Sequence, residues 1–470
     1  MLKVLKQSFI YKFLTGLVNM VESFITHSGL YSLLTKEHEK TQEGFLEKWL
    51  YKIISGLRFI FEKIKFNKLF EGSIFAKTYI FVGLTIALAP ILPTMLCLAM
   101  VLGCFVSFFL KVMLDKEFKF RYTPVNGALI FFMVVYGFCA LTSADIKSSI
   151  QVAALLLSFM AFYFIVVNSV ETEKQLKGLI AIFVLVGFAI AGLGIYQYLF
   201  GGSFASSSFV DKKMFEDIQT RVSGTFDNPN VMGEYLLLVI PIAMSYFFNS
   251  KGFRKKIIAL GVVGVMCVSL ALTYSRGCYL GLLICVGIYL LLINIRFILL
   301  FLAGILAIPF VLPKSIINRF TSIGNTEDTS TSYRISIWKG AIDMFKDYWY
   351  RPIGQGTTAF NSVYPLYSLS GVGAEHTHNL FLQVAVETGA VGIVAFIFLI
   401  FRFFQCILSA IKNIESKINK VYLISFVSGF TGFIVQSMFD NTWYNNRVVL
   451  IFWAYIALAV SMTFAHKLRR

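Results

Sequence analysis

The sequence predicts an all-α fold: a polytopic transmembrane helix bundle of about twelve spans, with a large extracytoplasmic loop and an N-terminal amphipathic helical region. Three observations carry that expectation. Hydrophobic residues fill 57% of the 470 positions and charged residues 14%, and mean hydropathy is positive, which lies outside the range of soluble chains. Apolar windows of about twenty residues recur from Phe75 onward, each long enough to cross a hydrocarbon core about 30 Å thick. Lysine and arginine gather in alternate connections, the pattern left by membrane insertion.

The windows fall near 74–91, 93–113, 124–143, 148–168, 176–200, 230–248, 256–273, 277–294, 297–313, 380–404, 419–438 and 447–465. With a cytoplasmic N-terminus, the connections bearing Lys111/Lys116/Lys119/Arg121, Lys174/Lys177, Lys251/Arg254/Lys255/Lys256, Arg296 and Arg402/Lys412/Lys417/Lys420 all lie inside, as does the tail Lys467 to Arg470. Both termini are then cytoplasmic and the protein is a multi-pass component of a bacterial cytoplasmic membrane. The net charge of +17 is this inside bias, in contact with anionic lipid headgroups, and not a nucleic-acid surface. Four regions follow: a cytoplasmic membrane-surface region at 1–73, the first part of the bundle at 74–313, a large extracytoplasmic loop at 314–378 and the last part of the bundle at 379–470.

Residues 1–73 are too interrupted to span. Leu2, Leu5, Phe9, Phe13, Leu17 and Val21 recur at helical spacing, as do Leu46, Trp49, Leu50, Ile53, Leu57, Phe61 and Ile64, with lysines on the other faces. Both read as interfacial helices, whether plain anchors or more. The seven cysteines show no paired spacing and read as small packing residues. The histidines at 376 and 378 lack a third ligand nearby in sequence, so no metal site and no cofactor are expected.

Under this orientation the stretches 201–229, 274–276, 314–378 and 439–446 share the outer side, and the chemistry-bearing motifs belong to them. In Arg221-Val-Ser-Gly-Thr-Phe-Asp-Asn-Pro-Asn230, the pair Asn228-Pro229 reads as a helix cap followed by the first helical position. It presents N–H groups and a positive dipole end beside Arg221, on a span that also carries Glu234. This suits an anion; an ordinary capped helix with a solvated arginine is the other reading. Ser275-Arg276-Gly277 turns between two spans, where Arg276 either faces a site or reaches lipid headgroups. Arg334 opens an amphipathic helix with Trp338, Ile342 and Phe345 toward the membrane, followed by the turn-rich Arg351-Pro-Ile-Gly-Gln-Gly356. A lone arginine there is a pocket residue or an interfacial charge.

The segment from Ala374 to Gly389 is the most informative. His376 and His378 stand at the mouth of an apolar helix carrying Asn379, Gln383 and Glu387, each four residues apart. Polar groups within hydrocarbon are costly and mark functional ground, and histidine is the side chain best able to trade a proton near neutral pH.

This order of motifs, an Arg then Gly-Thr-Phe-x-Asn-Pro-Asn, Ser-Arg-Gly, Arg-x-x-x-Trp with a later Pro-x-Gly-x-Gly, and His-Asn-x-x-Leu with Glu-x-Gly beyond, resembles the O-antigen ligase and polymerase superfamily. The resemblance covers about 75–465, its motifs lying between 221 and 389. It implies a membrane glycosyltransferase that uses a polyprenyl-diphosphate-linked glycan outside the cytoplasm. The family's catalytic arginines and histidine carry over to Arg221, Arg334 and His378. Arg276, His376, Asn230, Asn379, Gln383 and Glu387 are the expected substrate-binding residues. The N-terminal region is longer than the family core requires, and the acceptor, whether glycan, lipid or protein, is not named by the sequence.

Chemistry supports the same roles. Guanidinium groups stay charged and match phosphate oxygens bidentately, so Arg221 and Arg334 suit a departing diphosphate. His378 suits the acceptor's hydroxyl proton, and attack from the face opposite the leaving group inverts the anomeric carbon. Arginine can supply the charge that a divalent ion supplies elsewhere, which fits the lack of an acidic metal motif. The rivals are a transporter or flippase of a lipid-linked glycan, against which stands the lack of self-similarity between the halves, and a scaffold, which needs no such polar groups. The topology predicts that, in a cysteine-free background, Ser368→Cys reacts with an impermeant thiol reagent added outside intact cells and Ser250→Cys does not. Labelling of Ser250→Cys alone would invert the arrangement.

Overall fold

A computed structural model describes residues 45–65, 70, 72–201, 218, 220–322, 324 and 328–468, with isolated positions before 45 and side chains from 51 onward except at 370. The first amphipathic run, Leu2 to Val21, lies outside the described residues. Among them every regular element is helical. In chain order these are α1 (Phe45–Lys63), α2 (Thr78–Leu88), α3 (Thr94–Leu114), α4 (Asn126–Leu141), α5 (Ile146–Ser169), α6 (Glu173–Phe200), α7 (Pro229–Asn249) and α8 (Phe253–Leu272). They continue as α9 (Arg276–Ile293), α10 (Ile298–Val311), α11 (Lys314–Thr321), α12 (Thr329–Tyr348), α13 (Thr357–Val363), α14 (Leu380–Asn413), α15 (Lys417–Ser437) and α16 (Asn446–Thr463), with short 3₁₀ turns between some of them.

Each of the twelve apolar windows coincides with a helix, but the windows are not equal. Among the described residues nine helices, α3, α5 to α9 and α14 to α16, are long and apolar enough to cross a membrane. The segment Ile295–Val311 bends by 119° into α11 and makes a tenth if the pair is one span. The other two windows form α2 and α4, only 11 and 16 residues long, because Pro90 and Pro93 stand just beyond α2 and Pro124 just before α4. Leu102, Val106, Val134, Phe138, Leu306, Phe310 and Val394 are exposed on their helices, as side chains facing lipid are.

The described chain forms two compact units. The first comprises the described residues of 187–334 and 404–440; the second comprises those of 45–186, 335–403 and 441–468. In the first, α15 packs against α7 and α9. The α9–α15 crossing is close because both helices present glycine: a Cβ on Gly281 would stand 2.7 Å from the Gly432 carbonyl oxygen, and the reverse holds equally. Small residues at a crossing let backbones approach where no hydrophobic force separates helix from lipid.

In the second unit α16 packs on α5 and is buried nearly all round, while α2, α3 and α4 surround α5. Helix α1 shows how an amphipathic helix is fixed to such a bundle. Ile54, Leu57 and Phe61 pack with Val112, Met113, Phe118, Phe108 and Phe120. On the same helix Arg58 donates to the Val112 (2.7 Å), Asp115 (2.6 Å) and Lys116 (3.2 Å) carbonyls, so the spent C-terminus of α3 receives a cation. Lys111 donates likewise to the Asn168 and Ser169 carbonyls ending α5. Lys111, read from the sequence only as an orientation signal, also caps a helix.

In α12 the buried face is Ile337, Ala341 and Met344, and Phe345 packs against that cluster together with Tyr348 and Tyr367. Phe345 therefore parts from Ile342, which is exposed, and the two do not share one outward face. For the α9–α15 crossing, Gly281→Leu is expected to lower the detergent thermal midpoint and membrane abundance, at a cost of about 1–3 kcal/mol from forced separation. Gly103→Leu, where an added Cβ meets no atom within 4 Å, should leave both unchanged.

Candidate active site

In the first unit the Arg221–Asn230 motif builds the start of α7. Pro229 is the first helical residue, and the Asn228 side chain accepts from the Asn230 N–H at 2.9 Å, the cap that the sequence suggests. Arg221 is buried, donating from Nε to the Thr273 carbonyl (2.6 Å) and from Nη2 to Asn230 Oδ1 (2.7 Å). Asn230 then donates to Asp440 Oδ2 (3.0 Å), which lies 3.5 Å from Arg334 Nη2. One asparagine thus joins the two candidate phosphate-binding arginines, its oxygen to one and its amide to the other's carboxylate.

Arg276, at the first position of α9, is buried and does not reach outward to headgroups. Its Nη2 lies 2.5 Å from Asp328 Oδ2, and Nη1 donates to the Ser322 carbonyl at 3.3 Å. Asp328, fully buried, also accepts from the Thr331 N–H (2.9 Å) and hydroxyl (2.8 Å), which caps α12, the helix that carries Arg334. Arg319 of α11 completes the cluster, with Nη1 4.0 Å from Asp328 Oδ1 and Nε donating to the Tyr274 carbonyl at 3.2 Å.

The guanidinium groups of this cluster act on one another. Burial, and after it the like charge of Arg319 and Arg334, pulls the Arg221 guanidinium down to about 9, so it remains a cation at neutral pH but an uncomfortable one. Burial alone would raise the Asp328 carboxyl; hydrogen bonds from Arg276 and Thr331 outweigh it and hold the group below the usual range. Among the described residues, three of these guanidinium groups, Arg276, Arg319 and Arg334, pair with two carboxylates, Asp328 and Asp440.

In the second unit the loop after Ala374 turns sharply into α14. His378 holds a left-handed backbone, φ 51°, at a cost of about 1–3 kcal/mol for a non-glycine residue. Its N–H donates to His376 Nδ1 at 3.1 Å, and the two rings lie 4.1 Å apart. The ring of Tyr444 lies 4.5 Å from that of His376, and its hydroxyl donates to Glu375 at 2.6 Å, which raises the phenol to about 12. Asn379 is the cap of α14, accepting from the Leu382 N–H at 3.0 Å, and so stands just outside the helix whose ladder it heads. Gln383 and Glu387 are buried and bonded to each other at 2.9 Å.

Of the residues singled out in the sequence, Arg221, Arg276, Arg334 and Asn230 come together in the first unit, and His376, His378, Asn379, Gln383 and Glu387 in the second. The sequence did not single out Arg319, Asp328 or Asp440. Asp328 carried a signal, an acidic residue three before Thr331 at the head of an amphipathic run. Asp440 follows Gln436 by four residues at the end of α15, and Arg319 had no local mark.

Helices of this length and apolarity, with arginines and histidines held at their ends, define a multi-pass membrane protein with a polar candidate site. Residues 261–397 match the family model described as O-Antigen ligase, and no curated protein matches the chain. The matched segment contains Arg276, Arg334 and the whole of Ala374–Gly389, whereas Arg221 and Asn230 precede it. This segment is therefore similar to the O-antigen ligase family, which supports the O-antigen ligase and polymerase superfamily and, at that coarse level, glycan transfer of the ligase or polymerase kind.

The depressed Arg221 guanidinium gives a test in which activity plays no part. Because Arg221 is depressed below its unfolded value, the unfolded chain holds its proton more firmly. The charge thus costs stability below pH 9, a cost relieved as pH rises above it. An anion that compensates the charge should stabilise most where the charge is present. Inorganic pyrophosphate is expected to raise the thermal midpoint at pH 7.5, less at pH 10, and less in Arg221→Lys, which keeps charge but loses the planar fork. An equal rise in all three conditions would remove Arg221 from anion recognition.

Proposed function

We propose that the protein moves or polymerises glycan from a polyprenyl-diphosphate carrier onto an acceptor hydroxyl at the outer face of a bacterial cytoplasmic membrane, for cell-surface polysaccharide synthesis. The observation that carries this reading is the arginine cluster, in which Arg221 and Arg334 are tied through Asn230 and Asp440 and Arg221 is buried beside like charge. A diphosphate is the ligand class that such a cluster fits, through paired charge-assisted hydrogen bonds.

In the proposed reaction the acceptor oxygen bonds to the anomeric carbon as the bond from that carbon to the carrier's diphosphate oxygen breaks. The diphosphate leaves with the electron pair, its charge met by Arg221 and Arg334. The hydroxyl proton passes to the imidazole of His378. Attack opposite the leaving group inverts the centre, and the guanidinium charges stand in for a divalent ion, so the route is metal-independent. His376, whose ring lies beside those of His378 and Tyr444, suits binding of the sugar together with Tyr444. A transporter or flippase would use the same arginines, but a turn strained to present histidine favours proton transfer.

His378→Ala is expected to lower transfer in membranes by about 10²–10⁴-fold without loss of protein, whereas His376→Ala retains measurable activity. Native turnover by purified His378→Ala would remove general-base catalysis from this residue. In a deletion strain, single repeats left on the carrier identify a polymerase and full-length chains a ligase.

A further inference from the structure

We propose that Gln383 and Glu387 are positioning residues, a buried two-side-chain relay that ties the turn bearing His376 and His378 to the glycine loop at 354–356. They would then not be substrate-binding groups. The proposal rests on the reading of His378 as the base. Every polar atom of the relay that is named here has its complement. The Thr377 N–H, fully buried between the two histidines, donates to Gln383 Oε1 at 2.8 Å. Gln383 Nε2 donates to Glu387 Oε1 at 2.9 Å, and the same oxygen accepts from the Gly356 N–H at 3.1 Å. Alongside, the Ile353 and Gly354 N–H groups donate at 3.3 Å to the Val386 and Glu387 carbonyls. Those carbonyls are released because the helix breaks at Gly389, φ 67°, where a Cβ would stand 2.6 Å from the Trp349 oxygen.

The donor and acceptor directions along this path are fixed. The Gln383 amide must turn its oxygen to Thr377 and its nitrogen to Glu387, so Glu387 is bound to offer an acceptor, and the acceptor need not be charged. The left-handed His378 is not a conformation its side chain favours, and a backbone of that kind persists only where its surroundings over-determine it. Thr377, the residue before it, is held from two sides: its N–H by Gln383, and its hydroxyl by the Asn379 carbonyl at 2.8 Å. Buried polar networks specify a single geometry when fully satisfied and fail when one direction is reversed.

This yields a substitution pattern that neither a substrate-binding nor a chemically reacting carboxylate would give. Glu387→Gln keeps one oxygen for both donors and should retain transfer within about threefold of native. Glu387→Ala should lower kcat by about tenfold or more, as should Gln383→Glu, which sets acceptor against acceptor, with the KM for lipid-linked donor little changed. The exchanged pair, Gln383→Glu with Glu387→Gln, restores each direction: Glu accepts from Thr377 and from the new amide, whose oxygen accepts from Gly356. It should recover most of the lost kcat. Hydrogen exchange of the peptide containing Thr377 reads the turn without reference to activity. It should be slow in the native protein, Glu387→Gln and the exchanged pair, and fast in Gln383→Glu and Glu387→Ala. Loss of transfer in Glu387→Gln equal to that in Glu387→Ala would overturn the proposal, as would slow exchange in Gln383→Glu. Full activity of His378→Ala would instead overturn the role of His378, leaving the exchange pattern to decide the relay.

Discussion

Three buried guanidinium groups, Arg221, Arg276 and Arg319, with the partly exposed Arg334 beside them, are the constraint around which the first unit is built. Each arginine must find acceptors or its burial is prohibitive, and the chain supplies them from helix ends: the Thr273 and Tyr274 carbonyls after α8, Ser322 after α11, and Asn230 in the first turn of α7. Elements far apart in sequence are drawn to one place by this need. Asp328 does two jobs at once, since the carboxylate that caps α12 also neutralises Arg276 and faces Arg319. The close α9–α15 contact at Gly281 and Gly432 brings the helix ending before Asp440 against the one opened by Arg276.

The motifs share a structural grammar. Each begins a helix: Asn228 caps α7, Ser275 precedes Arg276 at the head of α9, Asp328 caps α12, and Asn379 caps α14. A helix start presents N–H groups and a positive dipole end, so these segments favour anions before any side-chain charge is counted. Their backbones are also strained. Of the four described non-glycine residues with positive φ, three, Asp227, Tyr274 and His378, lie within or beside these starts. Strain of this kind is retained where it places a group that relaxed backbone would place elsewhere.

How much of this was legible in the sequence follows from which interactions are local. Apolar windows, the Asn-Pro helix start and the four-residue spacing of Gln383 and Glu387 are properties of neighbouring residues, and all are found in the structure. The pairing of Arg276 with Asp328, 52 positions apart, and of Asn230 with Asp440, 210 apart, is tertiary, and nothing beside Arg319 or Asp440 announces it. The span count was harder for a related reason. A hydropathy window reports apolarity but not where prolines cut it, so α2 and α4 came out shorter than their windows and α10 ran into a bend. Phe345 was misassigned because periodicity gives a helix its faces without saying which of them the rest of the chain will cover.

The different partners of the arginines separate their roles more sharply than proximity does. Arg276 is held at 2.5 Å by a fully buried carboxylate that also caps a helix, so an incoming diphosphate would have to displace an anion that the fold cannot release. Its charge is therefore best understood as support for the helix that carries Arg334. The bonds that Arg221 makes to Thr273 and Asn230 are to neutral oxygens, which an anionic oxygen can replace with a gain in charge pairing. Arg334, partly exposed and 3.5 Å from Asp440, is intermediate: its ion pair is the longer one, and Asp440, which is buried, keeps the Asn230 amide when that pair opens. Within one cluster the arginines thus run from structural to exchangeable, and the exchangeable end, Arg221 and Arg334, is where a diphosphate gains most.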